Sequence, residues 1–330
     1  MKAIVIARTG GPSVLEYADV PTPVPAAGEV LVRAVAIGVN RPDIQIRKGE
    51  YPWMPPLPAI PGIEMSGAVA AVGAGVAAPA AGAPVLVSAR ELPQRAGCYA
   101  EFIAVPATAV YPLPPGCDME AAACLANYQV AHLMLTETAR GTEGGTVFVG
   151  AAAGGIGGAL VELARLEGRR VVAQVSSEAK AEAARRLGAD HVVVTDTTDL
   201  TEGVLAVTGG AGVELAFDAV GGETLVSMFG LLAPTGLVIS YGRLAGRRQA
   251  DLYEAMFKHQ KKNPGFRIFT MHSYDARPDV RRASMTALIG LLAAGRIAPP
   301  IHRRFALAEA AAAQTLLESR ATTGKVILKP

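Results

Sequence analysis

Phe148-Val149-Gly150-Ala151-Ala152-Ala153-Gly154-Gly155-Ile156-Gly157-Gly158 decides how the rest of the chain is read. A strand pattern from Thr146 to Val149 runs into residues with little or no side chain, and a helical pattern follows from Ile156 to Leu166. A backbone that lies against a pyrophosphate needs this order, because the helix start turns its unpaired N–H groups toward the anion. The spacing Ala152-x-Gly154-x-x-Gly157 matches the dinucleotide fingerprint with alanine in the first glycine position. A simple tight turn in an alanine-rich chain gives the same local pattern, so the flanking segments have to decide.

The next strand, Arg170-Val171-Val172-Ala173-Gln174-Val175, ends in Ser176-Ser177 with Lys180 shortly after. An enzyme that holds the ribose of NAD places a carboxylate at this strand end. Here hydroxyls and an ammonium stand instead, which suits a 2′-phosphate and favours NADPH over NADH. Either serine could also cap the helix that begins near Glu178, and the two roles can coexist.

The alternation continues. A helix from Glu178 to Leu187 stops at Gly188, and strands follow at His191 to Val194 and at Val213 to Phe217. Asp218-Ala219-Val220-Gly221-Gly222 leads into a helix from Glu223 to Leu232. A Pro-Thr-Gly turn at Pro234 to Gly236 then precedes a fifth strand, Leu237 to Ser240, ending in Tyr241-Gly242. Strands alternating with helices predict a doubly wound α/β sheet of Rossmann type. Gly154, Ser176, Val220 and Tyr241 all fall beyond carboxyl strand ends, where such sheets bind ligands.

Residues 1–125 read differently. Short strands at Lys2–Ala7, Glu29–Gly38, Ser66–Val72, Pro84–Val87 and Ala100–Val105 are separated by Pro/Gly turns, as in a compact, mostly β domain. A helix from Met119 to Thr138 is expected to lead into the sheet domain. The final stretch has an amphipathic helix around Leu307 to Glu318 and a strand at Lys325 to Leu328, expected to pack back on the first domain.

The 330 residues suit two domains. A hydrophobic content of 51% with 18% charged residues is that of a packed enzyme, and a net charge of +2 favours neither nucleic acid nor an anionic membrane. Cys98, Cys117 and Cys124 form neither a disulfide framework nor metal-ligand spacing, which points to a reducing, cytoplasmic setting. The uncharged run Met65 to Ala89 is broken by Gly67, Gly73, Gly75, Pro79, Gly82 and Pro84, and reads as strands and turns rather than a membrane span. The five histidines show no catalytic or metal arrangement and are read as structural.

Further segments carry a family likeness: Gly10-Gly11-Pro12, Gly28-Glu29-Val30-Leu31-Val32, Gly38-Val39-Asn40-Arg41-Pro42-Asp43, Pro61-Gly62-Ile63-Glu64, Gly97-Cys98-Tyr99-Ala100-Glu101, Ala151 to Gly157, Leu187-Gly188-Ala189-Asp190, Gly221-Gly222 and Gly324-Lys325-Val326. Together they resemble the medium-chain dehydrogenase/reductase superfamily, in its zinc-free NADPH:quinone oxidoreductase (zeta-crystallin-like) branch. The resemblance implies a GroES-like catalytic domain from both chain ends (residues 1–125 and 266–330) with a Rossmann nucleotide-binding domain inserted (126–265). It also implies no metal, because Asn40 and Ile63 stand where zinc alcohol dehydrogenases carry a cysteine and a histidine ligand.

By the same resemblance Asn40 lines the pocket beside the nicotinamide, with Tyr51 as a pocket wall and Gln129 where a threonine is common. Ala152, Ala153, Gly154, Gly155, Ile156, Gly157, Ser176, Ser177, Lys180, Val220, Ser240, Tyr241, Gly242, Phe269 and Met271 are expected at the coenzyme, and Arg320 at its 2′-phosphate. Thr195 replaces a tyrosine that contacts the adenosine phosphate in bacterial relatives. Phe269, Thr270 and Met271 pass the nicotinamide, although Phe266 to Thr270 is equally a strand for pairing two subunits edge to edge, and a homodimer is expected.

The implied activity is hydride transfer from NADPH to a small molecule, a quinone or an α,β-unsaturated carbonyl. An enoyl-thioester reductase or a zinc-free alcohol dehydrogenase is the alternative, with Arg243, Arg247, Arg248, Lys258, Lys261 and Lys262 as a basic channel for a CoA group. A reading from another class is an NADPH-binding protein of structural or regulatory role.

Overall fold

A computed structural model describes residues 1–142, 145–246 and 251–330. In chain order the first part contains β1 (Lys2–Val5), β2 (Glu16–Asp19), β3 (Glu29–Val39), α1 (Arg41–Lys48), β4 (Glu64–Val72), β5 (Pro84–Ser88), β6 (Phe102–Pro106), β7 (Val110–Pro112) and α2 (Met119–Ala122). Next come α3 (Leu125–Leu133), β8 (Thr146–Val149), α4 (Gly155–Leu166), β9 (Arg170–Val175), α5 (Glu178–Arg186), β10 (His191–Val194), α6 (Leu200–Val207), β11 (Val213–Asp218), α7 (Gly222–Leu231) and β12 (Leu232–Ser240). The chain ends with α8 (Leu252–Lys258), β13 (Gly265–Ile268), α9 (Pro278–Ala293), β14 (Ile301–Ala306), α10 (Ala310–Glu318) and β15 (Lys325–Lys329).

The chain divides into two compact units, residues 1–126 with 285–330, and residues 127–284. The sequence reading returned to the first unit at 266. The later boundary has a direct cause: β13 pairs in parallel with β12, Leu237 opposite Gly265 and Ser240 opposite Ile268, and so belongs to the second unit's sheet.

The first unit holds the path β14-β15-β3-β4-β5-β7, with β6 on β3, and a separate β1–β2 pair. The eleven-residue β3 is its spine, pairing antiparallel with β4, β6 and β15. Val30, Val32, Ile37, Met65, Val85, Val87 and Leu328 pack in its core. The uncharged run Met65 to Ala89 lies in β4, β5 and their connection, and no described helix is long and apolar enough to cross a membrane.

The second unit is a six-stranded parallel sheet in the order β10-β9-β8-β11-β12-β13. Counted from β8 this is 3-2-1-4-5-6, so the order reverses between β8 and β11, where doubly wound sheets open a ligand crevice. Phe148, Val172, Val193, Val204, Ala216, Phe229 and Val238 form one core around it. The glycine turn after β8 stands at that switch point.

Three expectations change. The helix expected over Met119 to Thr138 is interrupted after Ala122, because the buried Glu64 carboxylate accepts the Ala126 N–H (2.8 Å) at the start of α3. Its far end widens, with the Ala139 N–H reaching the Met134 carbonyl at 2.9 Å. The Pro-Thr-Gly segment is a bulge inside β12 rather than a turn before it: Thr235 has φ +62°, and the register on β11 shifts between Val213 and Leu215. Elements β2, α1, β7, α6, α8, α9 and β14 were not anticipated.

Candidate active site and coenzyme site

In the second unit, β8 ends at Val149 and the turn is built almost without side chains. Ala151 has φ +51°, a left-handed conformation that costs an alanine roughly 1–2 kcal/mol. Its carbonyl accepts the Gly154 N–H at 3.0 Å. A Cβ on Gly157 would lie 2.3 Å from that carbonyl oxygen, and one on Gly155 would lie 2.2 Å from Asn127 Nδ2. The backbone contact makes glycine obligatory at 157, whereas a side chain at 155 would have to displace the Asn127 amide. The first bond of α4 is Gly158 N–H to the Gly154 carbonyl at 2.7 Å, so the N–H groups of Gly155, Ile156 and Gly157 precede the helical ladder. Ala152 and Ala153 are buried beneath the turn, while Gly154, Gly155 and Ile156 are partly exposed. An anion such as pyrophosphate fits this end of the helix.

At the end of β9, Ser176 is exposed and accepts a hydrogen bond from Lys180 Nζ at 3.1 Å. Ser177 holds the N-cap position of α5 in extended conformation, but its hydroxyl makes no capping bond. The structure thus sets Lys180 against Ser176, with Ser177 next to it at the start of α5.

The end of β11 is organised by Asp218, which is buried. Its carboxylate accepts the Val220 N–H at 2.9 Å, the Gly221 N–H at 3.0 Å and the Ser240 hydroxyl at 2.7 Å. Ser240 was expected at the coenzyme, yet its hydroxyl is committed to this buried acid. Gly242 is packed so that a Cβ would meet the Ala219 carbonyl at 2.3 Å. Tyr241 is half-buried, and burial together with the Asp218 charge pushes its phenol pKa upward. Phe269 is buried beside Tyr274, their ring centroids 6.1 Å apart, and Met271 is partly exposed just beyond it.

Gln129 departs from its expected role. It is buried, and its Nε2 donates to the Arg281 carbonyl at 2.8 Å, tying α3 to α9. Among the basic residues considered for a CoA channel, Lys262 donates to the Gly230 carbonyl at 2.8 Å near the end of α7, and burial lowers its pKa. Arg247 and Arg248 lie outside the described residues.

The first unit holds a different kind of site. Asn40 follows β3 and stands at the N-cap of α1, whose first turn contains Pro42. Asn40 Nδ2 donates to Glu64 Oε1 at 2.8 Å and to the Gly38 carbonyl at 3.3 Å, and its Oδ1 accepts Lys325 Nζ at 2.5 Å. Lys325 Nζ also lies 2.5 Å from Glu64 Oε1, and both side chains are buried. Both amide hydrogens of Asn40 are thus engaged within the protein, which leaves no N–H to donate to a substrate oxygen.

Asp43, fully buried, accepts the Asn40 N–H at 2.7 Å and the Tyr99 hydroxyl at 3.1 Å through Oδ2. Burial pushes its carboxyl pKa up to about 7, against the opposing pull of the Asn40 N–H and Lys325. Gly38 makes room for the cluster, since a Cβ there would fall 2.3 Å from Glu64 Oε1. Tyr51 packs in the core, its ring centroid 6.0 Å from that of Trp53. Arg320 is exposed after α10 with φ +60°. Sequence reasoning missed Asp218 and Lys325 as organising groups and Asn127 as the neighbour of Gly155. A lone polar residue at a strand or helix end was the available signal for each.

Two family models match: "Alcohol dehydrogenase GroES-like domain" over residues 26–115 and "Zinc-binding dehydrogenase" over 187–328. The residues present do not fit a metal. An ammonium, Lys325, occupies the face of Glu64 beside Asn40, and among the described residues no group of three or more His, Cys, Asp or Glu could hold an ion. A quinone oxidoreductase of Pseudomonas aeruginosa is 35% identical over 330 residues, covering 100% of this chain and 99% of that protein. A 2-haloacrylate reductase of a Burkholderia species is 32% identical, covering 99% of this chain and 98% of its own length. The crystal structure of Escherichia coli quinone oxidoreductase complexed with NADPH superposes with a TM-score of 0.86 at 29% identity, each chain covered completely. With the 3-2-1-4-5-6 sheet and the glycine turn at its switch point, these likenesses show that the chain belongs to the medium-chain dehydrogenase/reductase superfamily, in its quinone oxidoreductase branch.

Proposed function

We propose that this protein is an NADPH-dependent reductase that works without zinc and delivers hydride to a quinone or an α,β-unsaturated carbonyl. The observation that carries the coenzyme choice is the end of β9. Exposed Ser176, bonded to Lys180 and followed by Ser177 where an NAD enzyme carries its carboxylate, offers donors and positive charge to a 2′-phosphate. The N–H groups of Gly155, Ile156 and Gly157 would receive the pyrophosphate, and Phe269 and Met271 would flank the nicotinamide end. Relatives named for quinones and for a haloacrylate support an electron-poor conjugated acceptor.

When bound, the reduced nicotinamide supplies the hydride, and the protein supplies orientation and exclusion of water. The proton for the acceptor then comes from solvent, because the Asn40 amide hydrogens are engaged and Tyr51 lies in the core. Residues 1–126 and 285–330 form the catalytic domain in this reading, and 127–284 the nucleotide-binding domain. Two copies pair through β13, an edge strand whose Ile268 is 74% exposed. Light scattering that returns twice the chain mass supports this pairing.

Stopped-flow NADPH oxidation against quinones, enones and enoyl thioesters, with NADH as control, tests the proposal. The expected result is rapid turnover with a quinone or enone, unchanged after EDTA dialysis and retained in Tyr51→Phe. A tenfold preference for NADH, about 1.4 kcal/mol, overturns the coenzyme assignment. Tight NADPH binding without turnover on any acceptor favours a structural or regulatory protein.

A further inference from the structure

Gln174 is a polar exception in β9, where Val171, Val172, Ala173 and Val175 are all buried and apolar. Interior strands of parallel sheets are near-continuous apolar runs, so a glutamine there needs a reason. Its Oε1 accepts the Ala151 N–H at 2.9 Å, and its main-chain carbonyl accepts the Ala152 N–H at 2.9 Å. Its Nε2 donates to Thr195 Oγ1 at 2.9 Å, and Thr195 donates onward to the Val175 carbonyl at 3.2 Å. One side chain thus joins the turn after β8 to the residue that follows β10.

Ala151 is the residue this bond holds. It sits in the left-handed region, which a residue with a Cβ avoids and glycine enters freely. Its carbonyl bonds the Gly154 N–H and defines the space against Gly157. A relaxed Ala151 would turn that carbonyl away and lose the cradle before α4. We propose that Gln174 is a positioning residue for the coenzyme: its amide holds the Ala151–Gly154 turn in its binding shape and registers it against Thr195. This rests on the NADPH reading above. The glutamine acts through the turn, and Thr195 anchors the far end of its amide beside β10.

The test is NADPH affinity, read by fluorescence titration of the full chain. Gln174→Leu is expected to raise the Kd about tenfold. Adding Ala151→Gly is expected to bring it back to within about threefold of the parent, because glycine holds the left-handed turn unaided. A role confined to strand packing would gain nothing from that second change. Thr195→Val removes the Nε2 acceptor together with the hydroxyl's bond to the Val175 carbonyl, and is expected to raise the Kd at least about threefold; it serves as the readout if Gln174→Leu does not fold. An unchanged Kd in Gln174→Leu, no rescue in the double variant, or an unchanged Kd in Thr195→Val overturns the proposal. A parent chain that binds no NADPH defeats the coenzyme reading as well, so the two failures are distinguishable.

Discussion

Around Asn40 the first unit surrounds charge with charge, whereas around Gly154 the second unit removes side chains altogether. In the first region Lys325, Glu64, Asp43 and Asn40 are joined to one another out of water, with Asp43 Oδ1 left without a hydrogen bond. In the second, backbone N–H groups are left ahead of the helical ladder, and Gly154, Gly155 and Gly157 add no Cβ there. One region is closed upon itself and the other is open to an anion. The difference assigns stability to the first and coenzyme recognition to the second, and it can be broken at four points.

The largest expected effect is at Lys325. Lys325→Met leaves Glu64 buried without its counter-charge and should cost about 3–5 kcal/mol, seen as a lower urea midpoint. Glu64→Gln in the same chain should recover part of that loss, since contacting groups are not additive. Additive losses would break the description of a closed cluster. Gly157→Val comes next: the clash with the Ala151 carbonyl should weaken NADPH binding about 100-fold while shifting the urea midpoint less than Lys325→Met does.

Asp43 gives the third. Its folded pKa of about 7 lies above the ordinary aspartate value of 3.8, so between those values the folded chain holds a proton that the unfolded chain has lost. The associated stability is present at the acid end of that window and is lost as pH rises through about 7. The melting temperature of the parent should therefore fall from pH 5 to pH 8 relative to that of Asp43→Asn; parallel curves would exclude it. The smallest effect is at the strand end. Lys180→Ala should weaken NADPH about tenfold and NADH by less than about twofold, measured as the two Kd values.

The open region was the more legible in sequence. A glycine pattern states a backbone requirement, and Gly157 is held to glycine by the backbone of Ala151 and Ala152, a few positions away along the chain. The strand end at Ser176 and Lys180 is equally local. The closed region was placed but misread, because Asn40, Glu64 and Lys325 are separated by up to 285 residues and nothing local announces their pairing. The same holds for Gln129, whose partner is the Arg281 carbonyl. Helix α1 was hidden because Asn40-Arg41-Pro42 reads as a turn, although proline is at home in a helix's first turn. The break between α2 and α3 carries no glycine or proline; its cause is the distant Glu64.

The kink in β12 has a practical use. Pro234 and Thr235 are exposed at the strand's amino end, and the extra residues are already absorbed by the shift against β11. Ser240 lies five positions on, about 17 Å away at ordinary strand rise. A cysteine introduced at Thr235 would give a fluorophore or a tether an anchor remote from the working edge, so the enzyme can be immobilised or watched while it turns over.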